Sequence, residues 1–375
     1  MIKMKNEFVI ITISLTILAA ILNGCIKESP YTEGDSIKTI TYYVGGNGSE
    51  NYSRIQDAID KAYDNDSIFV YKGVYPGNIV INKTLKIVGE NRETTIINGR
   101  SFLSTMIIRA NNITVSGFTI ITNSSLNYIR NENVFLNFSD SPPLNIFAGI
   151  EVDWSNNITI SGNIIKNNNY GIWLRGCINN IIIDNIITKN KEYGVVDDYG
   201  DCNNVINNII YNNRGGIKLI SSKRGKIINN DLYNNDFFAI KLEGNQFSYK
   251  KESNNNSISK NHIINNENFG LIMYWSYYNI ISENTIINNL IGIFLENNSN
   301  NNFLYNNNFI NNTRNAQDNS NNTWYNSSLE FGNYWSDFTD KYPNANYTNS
   351  IWEIPYIING GDNYDRFPLV NPIKM

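Results

Sequence analysis

Two adjacent acids, Asp197 and Asp198, carry the most pointed chemistry in this chain. With Glu243 and the base Arg175 they form a set suited to a glycosidic bond. In inverting hydrolysis one carboxyl protonates the leaving oxygen while another activates water, the two standing roughly 6.5–9.5 Å apart. An eliminating enzyme would instead set a base such as Arg175 or Lys218 beside carboxylates that hold a metal ion. Further acids, bases and rings lie at Glu151, Asp153, Trp154, Trp173, Tyr199, Lys218, Lys241, Tyr274 and Trp275. Rings beside charged groups suit sugars, whose CH faces stack on aromatic rings while hydroxyls take charged partners. The plainer alternative is a cross-strand charge ladder, worth roughly a few tenths of a kcal/mol per pair.

Composition narrows the field. The chain has 375 residues, 30 Lys+Arg against 34 Asp+Glu, one His, three Cys and five Met. Mild acidity leaves no electrostatic footprint for nucleic acid, whose binders carry a basic face. So few His and Cys exclude a zinc finger, a haem site or a His-rich copper site, and no metal site is predicted. Charged residues are 17% and hydrophobic ones 41%, enough apolar content for a sizeable core. Asn has replaced charge as the main polar residue, so its placement must carry the argument.

That placement is periodic. Asn recurs at 163, 185, 208, 230, 261, 284 and 307, and again five positions later at 168, 190, 213, 235, 266, 289 and 312. Two positions after each leading Asn stands an apolar residue, from Ile165 to Phe309. The basic unit is 22 or 23 residues, a solenoid period. A second element, Gly-Ile-x-Leu, recurs as Gly149–Val152, Gly171–Leu174, Gly216–Leu219 and Gly292–Leu295, with variants at Gly194, Ala239 and Gly270. Alternation with period two means short strands whose first and third residues after the Gly-type position are buried. Units this short hold two or three strands and no helix, and must stack through parallel pairing. The chain is therefore predicted to be all-β, a right-handed parallel β-helix, with stacked Asn at its corners.

This architecture collects the chemical residues into rows. The second residue after each Gly-type position gives Glu151, Trp173, Val196, Lys218, Lys241, Ile272 and Phe294, all outward. The fourth gives Asp153, Arg175, Asp198, Ile220, Glu243, Tyr274 and Glu296, flanked by Trp154, Tyr199 and Trp275. Asp153 to Asp198, or Asp198 to Glu243, then spans two coils, about 9.6 Å. Asp197 breaks the pattern by taking a position otherwise filled by Leu, Val or Met; a buried carboxylate must be paired, protonated or functional. Two insertions, Ser124–Phe147 and Gln246–Asn256, connect at ends of this sheet and are expected to wall it into a cleft.

The ends need caps. Ser53–Tyr63 reads as an amphipathic helix, with Ser53 and Gln56 as a capping box. Strands follow at Ser67–Tyr71, Ile79–Ile81, Leu85–Val88, Thr95–Ile97 and Met106–Ile108. Residues 323–375, rich in Trp and Tyr, read as the opposite cap, leaving 41–322 for the solenoid. At the amino terminus Lys3 and Lys5 precede an apolar run from Phe8 to Leu22, a secretory signal over residues 1–24. Leu22-Asn23-Gly24-Cys25 resembles the lipobox of prokaryotic lipoproteins. By that resemblance Cys25 is lipidated and residues 25–40 tether the domain to the outer face of the membrane; the alternative is an uncleaved signal anchor.

Gly332-Asn-Tyr-Trp-Ser-Asp337, followed by Pro355-Tyr-Ile-Ile-Asn-Gly-Gly-Asp-Asn-Tyr-Asp-Arg-Phe-Pro-Leu369, resembles the terminal motif of NosD-like β-helix repeat proteins. That family is named for a periplasmic protein assisting copper maturation of nitrous-oxide reductase. Similar proteins, many archaeal, are grouped as carbohydrate-binding and sugar-hydrolysis β-helices. The resemblance implies the pectin-lyase-like fold, a place outside the cytoplasm and a polysaccharide or cell-envelope glycan as partner. Relatives often carry an Asp-rich, calcium-loop-like run between the motif's halves. Here Lys341–Trp352 stands instead, so no cofactor is required and calcium stays an open question. Paired Asp also occurs in polygalacturonases, but their His-Gly and Arg-Ile-Lys motifs are not matched by His262-Ile263 or Gly216-Ile217-Lys218. Copper's soft-ligand clusters are missing as well. Cys177 and Cys202 follow the strands of neighbouring coils, which leaves a disulfide or two free thiols. The oligomeric state is not legible. The reading is a lipid-anchored surface β-helix that binds glycan, with a polysaccharide lyase or glycosidase, or a structural surface protein, as alternatives.

Overall fold

The computed structural model describes residues 39–100, 103–123, 147–244 and 252–374. The signal segment, the lipobox Cys25 and most of both insertions lie outside the described residues. Everything described belongs to one compact unit, Thr39–Met375.

Isoleucine and asparagine build this unit by repetition. A representative coil runs through a six-residue strand, Tyr170–Arg175, then two three-residue strands, Ile181–Ile183 and Ile186–Thr188. The next coil pairs with it strand for strand in parallel: Ile172 with Val195, Ile182 with Val205, Ile187 with Ile210. Among the described residues the long strands form a ten-stranded front sheet, and the short ones two eleven-stranded sheets. Inward residues stack like on like. Ile165, Ile187, Ile210, Leu232, Ile263, Ile286 and Phe309 make one continuous buried row. β-Branched side chains favour such stacking on a pleated surface.

The Asn rows run inside the corners, almost fully buried. Asn208 is typical. Its amide donates to Ile182 O at 2.9 Å, Ile206 O at 2.9 Å and Asn230 Oδ1 at 3.0 Å. Its own Oδ1 accepts the backbone N–H and the side-chain amide of Asn185, both at 3.0 Å. Side-chain amides thus satisfy corner backbone groups that no strand can reach. The left-handed conformation belongs to the residue just before each ladder Asn, such as Asp184 (φ 57), Asn207 (φ 55) and Asn229 (φ 56). A third ladder was not read from the sequence: Asn180 to Asn203, then Asn256, Asn279, Asn302 and Asn322. Gly225 interrupts it.

The amino-terminal helix is shorter than predicted, Ile55–Lys61, and the capping box is not made. Arg54 is the N-cap and no side chain caps it. Gln56 is used elsewhere: Val80 N donates to its Oε1 at 2.9 Å and its amide reaches Val80 O at 3.3 Å. The glutamine fastens the helix to the first front strand, Ile79–Ile81.

At the other end the solenoid reaches further than the sequence boundary. Tyr334–Trp335 pairs in parallel with Asn308–Ile310, extending that sheet into the predicted cap. Asn333 terminates the first ladder by accepting from Asn307. Trp335 covers the last coil, stacked 4.4 Å from Phe309 and 4.0 Å from Tyr356. Asp365 joins the motif's two halves: its Oδ2 accepts Asn333 N at 2.7 Å and Trp335 Nε1 at 2.9 Å, its Oδ1 accepts Phe367 N at 3.0 Å. A Cβ on Gly332 would stand 1.9 Å from that carboxylate, so glycine is required there.

Candidate functional site

The outward side chains of the front sheet fall into columns because the strands stack without register slip. One column runs Glu151, Trp173, Val196, Lys218, Lys241, Ile272, Phe294. Beside it run Asp153, Arg175, Asp198, Ile220, Glu243, Tyr274, Glu296. A third column, not anticipated, lies on the far side: Ala148, Tyr170, Tyr193, Gly215, Phe238, Phe269 and Ile291. It is rich in rings. Tyr170 meets Trp173 edge-on at 4.6 Å, and Tyr193 reaches Phe238 at 5.4 Å across Gly215. The signal was present in the sequence as a ring one place before many of the Gly-type positions.

Two ionic clusters occupy the face. Arg175 stands 3.8 Å from Glu151 and 3.7 Å from Asp153, whose other oxygen lies 3.7 Å from Arg109. Ser104 donates to Glu151 at 2.6 Å. Farther along, Lys218 and Lys241 grip one oxygen of Glu243 at 3.0 and 2.9 Å. Lys218 also lies over the Tyr193 ring and Lys241 over Tyr274. Glu151, Trp173 and Asp198 are buried, while Asp153, Arg175, Lys218, Lys241 and Glu243 are half-buried. Burial pushes the Glu243 carboxyl up, but the two lysines outweigh it and hold the group below its ordinary range. For Lys241, burial wins over Glu243, and with Lys218 nearby its ammonium is pulled down. A general acid needs a raised carboxyl; Glu243 is moved the wrong way.

The carboxyl that is raised faces the other side. Asp197 points into the solenoid between Leu174 and Leu219 and is 3% exposed, so it does not join Asp198 on the outer face. Asn203 donates to its Oδ1 at 2.9 Å. The ladder explains this bond. From Asn256 to Asn302 each amide of this ladder donates to the Asn of the next coil, but after Asn203 that place is Gly225, and Asp197 supplies the missing acceptor. Burial pushes Asp197 up to about 7 from 3.8, against Asn203 and Ser222. Between those values the folded chain keeps a proton that the unfolded chain has lost. Its contribution to stability is therefore whole below about pH 4 and is lost as pH rises through about 7. Asp197→Asn, which keeps an oxygen for Asn203, is expected to gain on the wild type by about 2–4 kcal/mol between pH 4 and 8. Urea midpoints across that range check it.

The proposed Cys177–Cys202 disulfide is not formed. Cys177 is a free, buried thiol that donates to Arg175 O at 3.1 Å and Val152 O at 3.3 Å. Burial pushes it up to about 11. Register is the reason: Ile178 pairs with Asp201, which sets Cys177 opposite Gly200 and Cys202 opposite Asn179. Cys177 faces the core, whereas Cys202 takes a left-handed corner position (φ 55).

Trp154, Tyr199 and Trp275 sit at the corner that follows the front strands, all with positive φ (50, 57 and 47). Trp154 is 70% exposed and Tyr199 37%.

Fold and face together define a right-handed parallel β-helix with a ringed, charge-lined front sheet. The family described as right handed beta helix region matches residues 148–250, and that described as periplasmic copper-binding protein (NosD) matches 239–340. A cell surface glycoprotein of Methanothermus fervidus is 38% identical over 88 residues, 23% of this chain and 14% of the glycoprotein. The chain thus spans a small part of that relative. Among solved structures, the A-module of a mannuronan C-5 epimerase from Azotobacter vinelandii superposes with TM-score 0.60 at 16% identity, covering 76% of each chain. An alginate lyase from Paenibacillus does so at 0.52 and 12%, covering 72% of this chain and 94% of the lyase. These likenesses establish the fold.

Proposed function

We propose that this protein works outside the cytoplasm and binds polysaccharide along the outer face of its front sheet. One observation carries the reading: three columns of rings, acids and bases run in register up the sheet, at the spacing of the coils. Rings take the CH faces of sugars and half-buried charged groups take hydroxyls, which is how a shallow face holds a flexible polar chain. The likeness to a cell surface glycoprotein supports the location, and Cys25 would supply the anchor.

Copper does not come with the NosD likeness. His262 is the chain's one histidine and is bonded to Asp231 at 2.9 Å. Cys177 is buried, as are Met106 and Met273. No group of three His, Cys, Asp or Glu among the described residues is placed to hold a metal. These residues do not fit a copper site, and no step is derived through one.

The test is a polysaccharide array probed with the purified protein, followed by assays for new reducing ends and unsaturated uronates. Binding without turnover is expected. Lys241→Gln is expected to weaken capture about tenfold with an unchanged circular dichroism spectrum. Turnover would replace the reading by an enzymatic one, and silence on every glycan would remove it.

A further inference from the structure

The corner that follows the front strands is a column of its own. Trp154, Gly176, Tyr199, Ser221, Gly244 and Trp275 stack there; the first five N–H groups each donate to the carbonyl of the residue before the next corner, as Trp154 to Arg175 and Gly176 to Asp198, and Trp275 N–H donates to the corner residue Asn297 itself. The turn asks for a left-handed residue, and Gly176 (φ 60), Ser221 (φ 53) and Asn297 (φ 50) meet that demand with small or amide side chains. Trp154, Tyr199 and Trp275 meet it with large rings, which that conformation disfavours. A strained bulky residue persists where something other than stability keeps it. Small neighbours make room for the rings. A Cβ on Gly176 would lie 2.4 Å from the Trp154 indole, so the indole lies over the next corner with the rest of its surface in water.

Charge limits what such a platform takes. Arg109, Arg175, Lys218 and Lys241 on the adjoining face are each within 4.0 Å of a carboxylate of the same face. Glu296 adds further negative charge along the same edge. A ligand carboxylate would have to displace Glu243 or Asp153 from its cations. On the adjoining face, Trp173 Nε1 and Arg175 Nε are withdrawn from solvent and make no hydrogen bond, and Asp153 Oδ1 makes none either, with the Arg175 guanidinium 3.7 Å away. Trp173 itself is only 6% exposed. Two donors and one acceptor suit a hydroxyl, which accepts and donates; a carboxylate has no proton for Asp153.

We infer that the glycan is an uncharged linear polysaccharide lying along this corner, parallel to the solenoid axis, with sugar rings on Trp154, Tyr199 and Trp275. This rests on the glycan-binding reading and names its substrate class. The platforms stand two and three coils apart, about 9.6 and 14.4 Å at the strand spacing, and the whole track is about 24 Å long.

The experiment measures binding of neutral gluco- and manno-oligosaccharides of increasing length against oligogalacturonate and oligomannuronate, by calorimetry at low and high salt. Neutral oligomers are expected to bind more tightly with length until they span Trp154 to Trp275, with little salt dependence. Trp154→Asn and Trp275→Asn are each expected to weaken the longest oligomer about tenfold or more, while thermal midpoints hold or rise because Asn accepts the turn. Salt-sensitive preference for the uronates would overturn this inference and leave the glycan-binding reading standing. So would neutral binding that ignores both tryptophans. Failure of every oligomer and polymer to bind would sink both.

Discussion

Asn208→Leu is expected to lower the stability of the solenoid by about 3–5 kcal/mol, read as a fall in urea midpoint, although leucine has the same number of side-chain heavy atoms as asparagine. The ladder explains the scale. Asn208 is 1% exposed, donates to three acceptors and takes both the N–H and the amide of Asn185. Leucine leaves at least two buried polar groups without partners, at about 1–3 kcal/mol each. The neighbouring Asn207 is the control. It occupies the left-handed position, where glycine is at ease, so Asn207→Gly is expected to change stability by less than about 1 kcal/mol. Equal effects at the two positions would mean that the ladder contributes little.

The coil was legible because stacking imposes the same demand on every turn. Corner groups need an amide inside, so Asn recurs in phase with Ile, and the phase gives register directly. The third ladder escaped because Gly225 breaks it, leaving its two parts out of sight of each other in the sequence. The amino-terminal helix shows a different limit. Ser53 and Gln56 have the right separation for mutual capping, yet Gln56 bonds Val80, 24 residues away. A local motif lost to a partner that only the folded coil brings near.

For the candidate site, columns were legible and partnerships were not. Counting from each glycine placed Trp173, Asp198 and Glu243 on the outer face, since alternation alone decides facing. Which charges pair depends on lateral reach between coils. Lys218 reaches diagonally to Glu243 on the next coil, the residue that Lys241 also holds. The column of Tyr170, Tyr193, Phe238 and Phe269 was missed because alternation breaks at the Gly-type position: a Cβ on Gly171 would meet the inward Ile187, so this glycine and Ile172 both face in, and the ring before them lies outside against Trp173. Asp197 stood out as a polar residue in an apolar row, but its reason, a gap in a ladder one coil on, lies in the three-dimensional neighbourhood.

Asp365→Asn is expected to cost on the order of 3 kcal/mol and to loosen the carboxyl-terminal cap, whereas Asp197→Asn is tolerated. Both acids are buried, and burial pushes both up to about 7. They differ in what surrounds the two oxygens. At Asp197 the side-chain amide of Asn203 approaches Oδ1, and the Ser222 hydroxyl nearby can turn to suit a new neighbour. At Asp365 both oxygens face N–H donors: Phe367 N on one side, Asn333 N and Trp335 Nε1 on the other. An asparagine amide must therefore point its NH2 at one of them, leaving a donor against a donor at a fully buried position. The indole of Trp335 lies on Phe309 and Tyr356, so the disturbance reaches the last coil and exposes the end of the Asn307–Asn333 ladder. Limited proteolysis should cut the Asp365→Asn protein first beyond residue 333 while the coils before it stay resistant. A cap as resistant as the wild type would show that this carboxylate does not hold the two halves of the motif together.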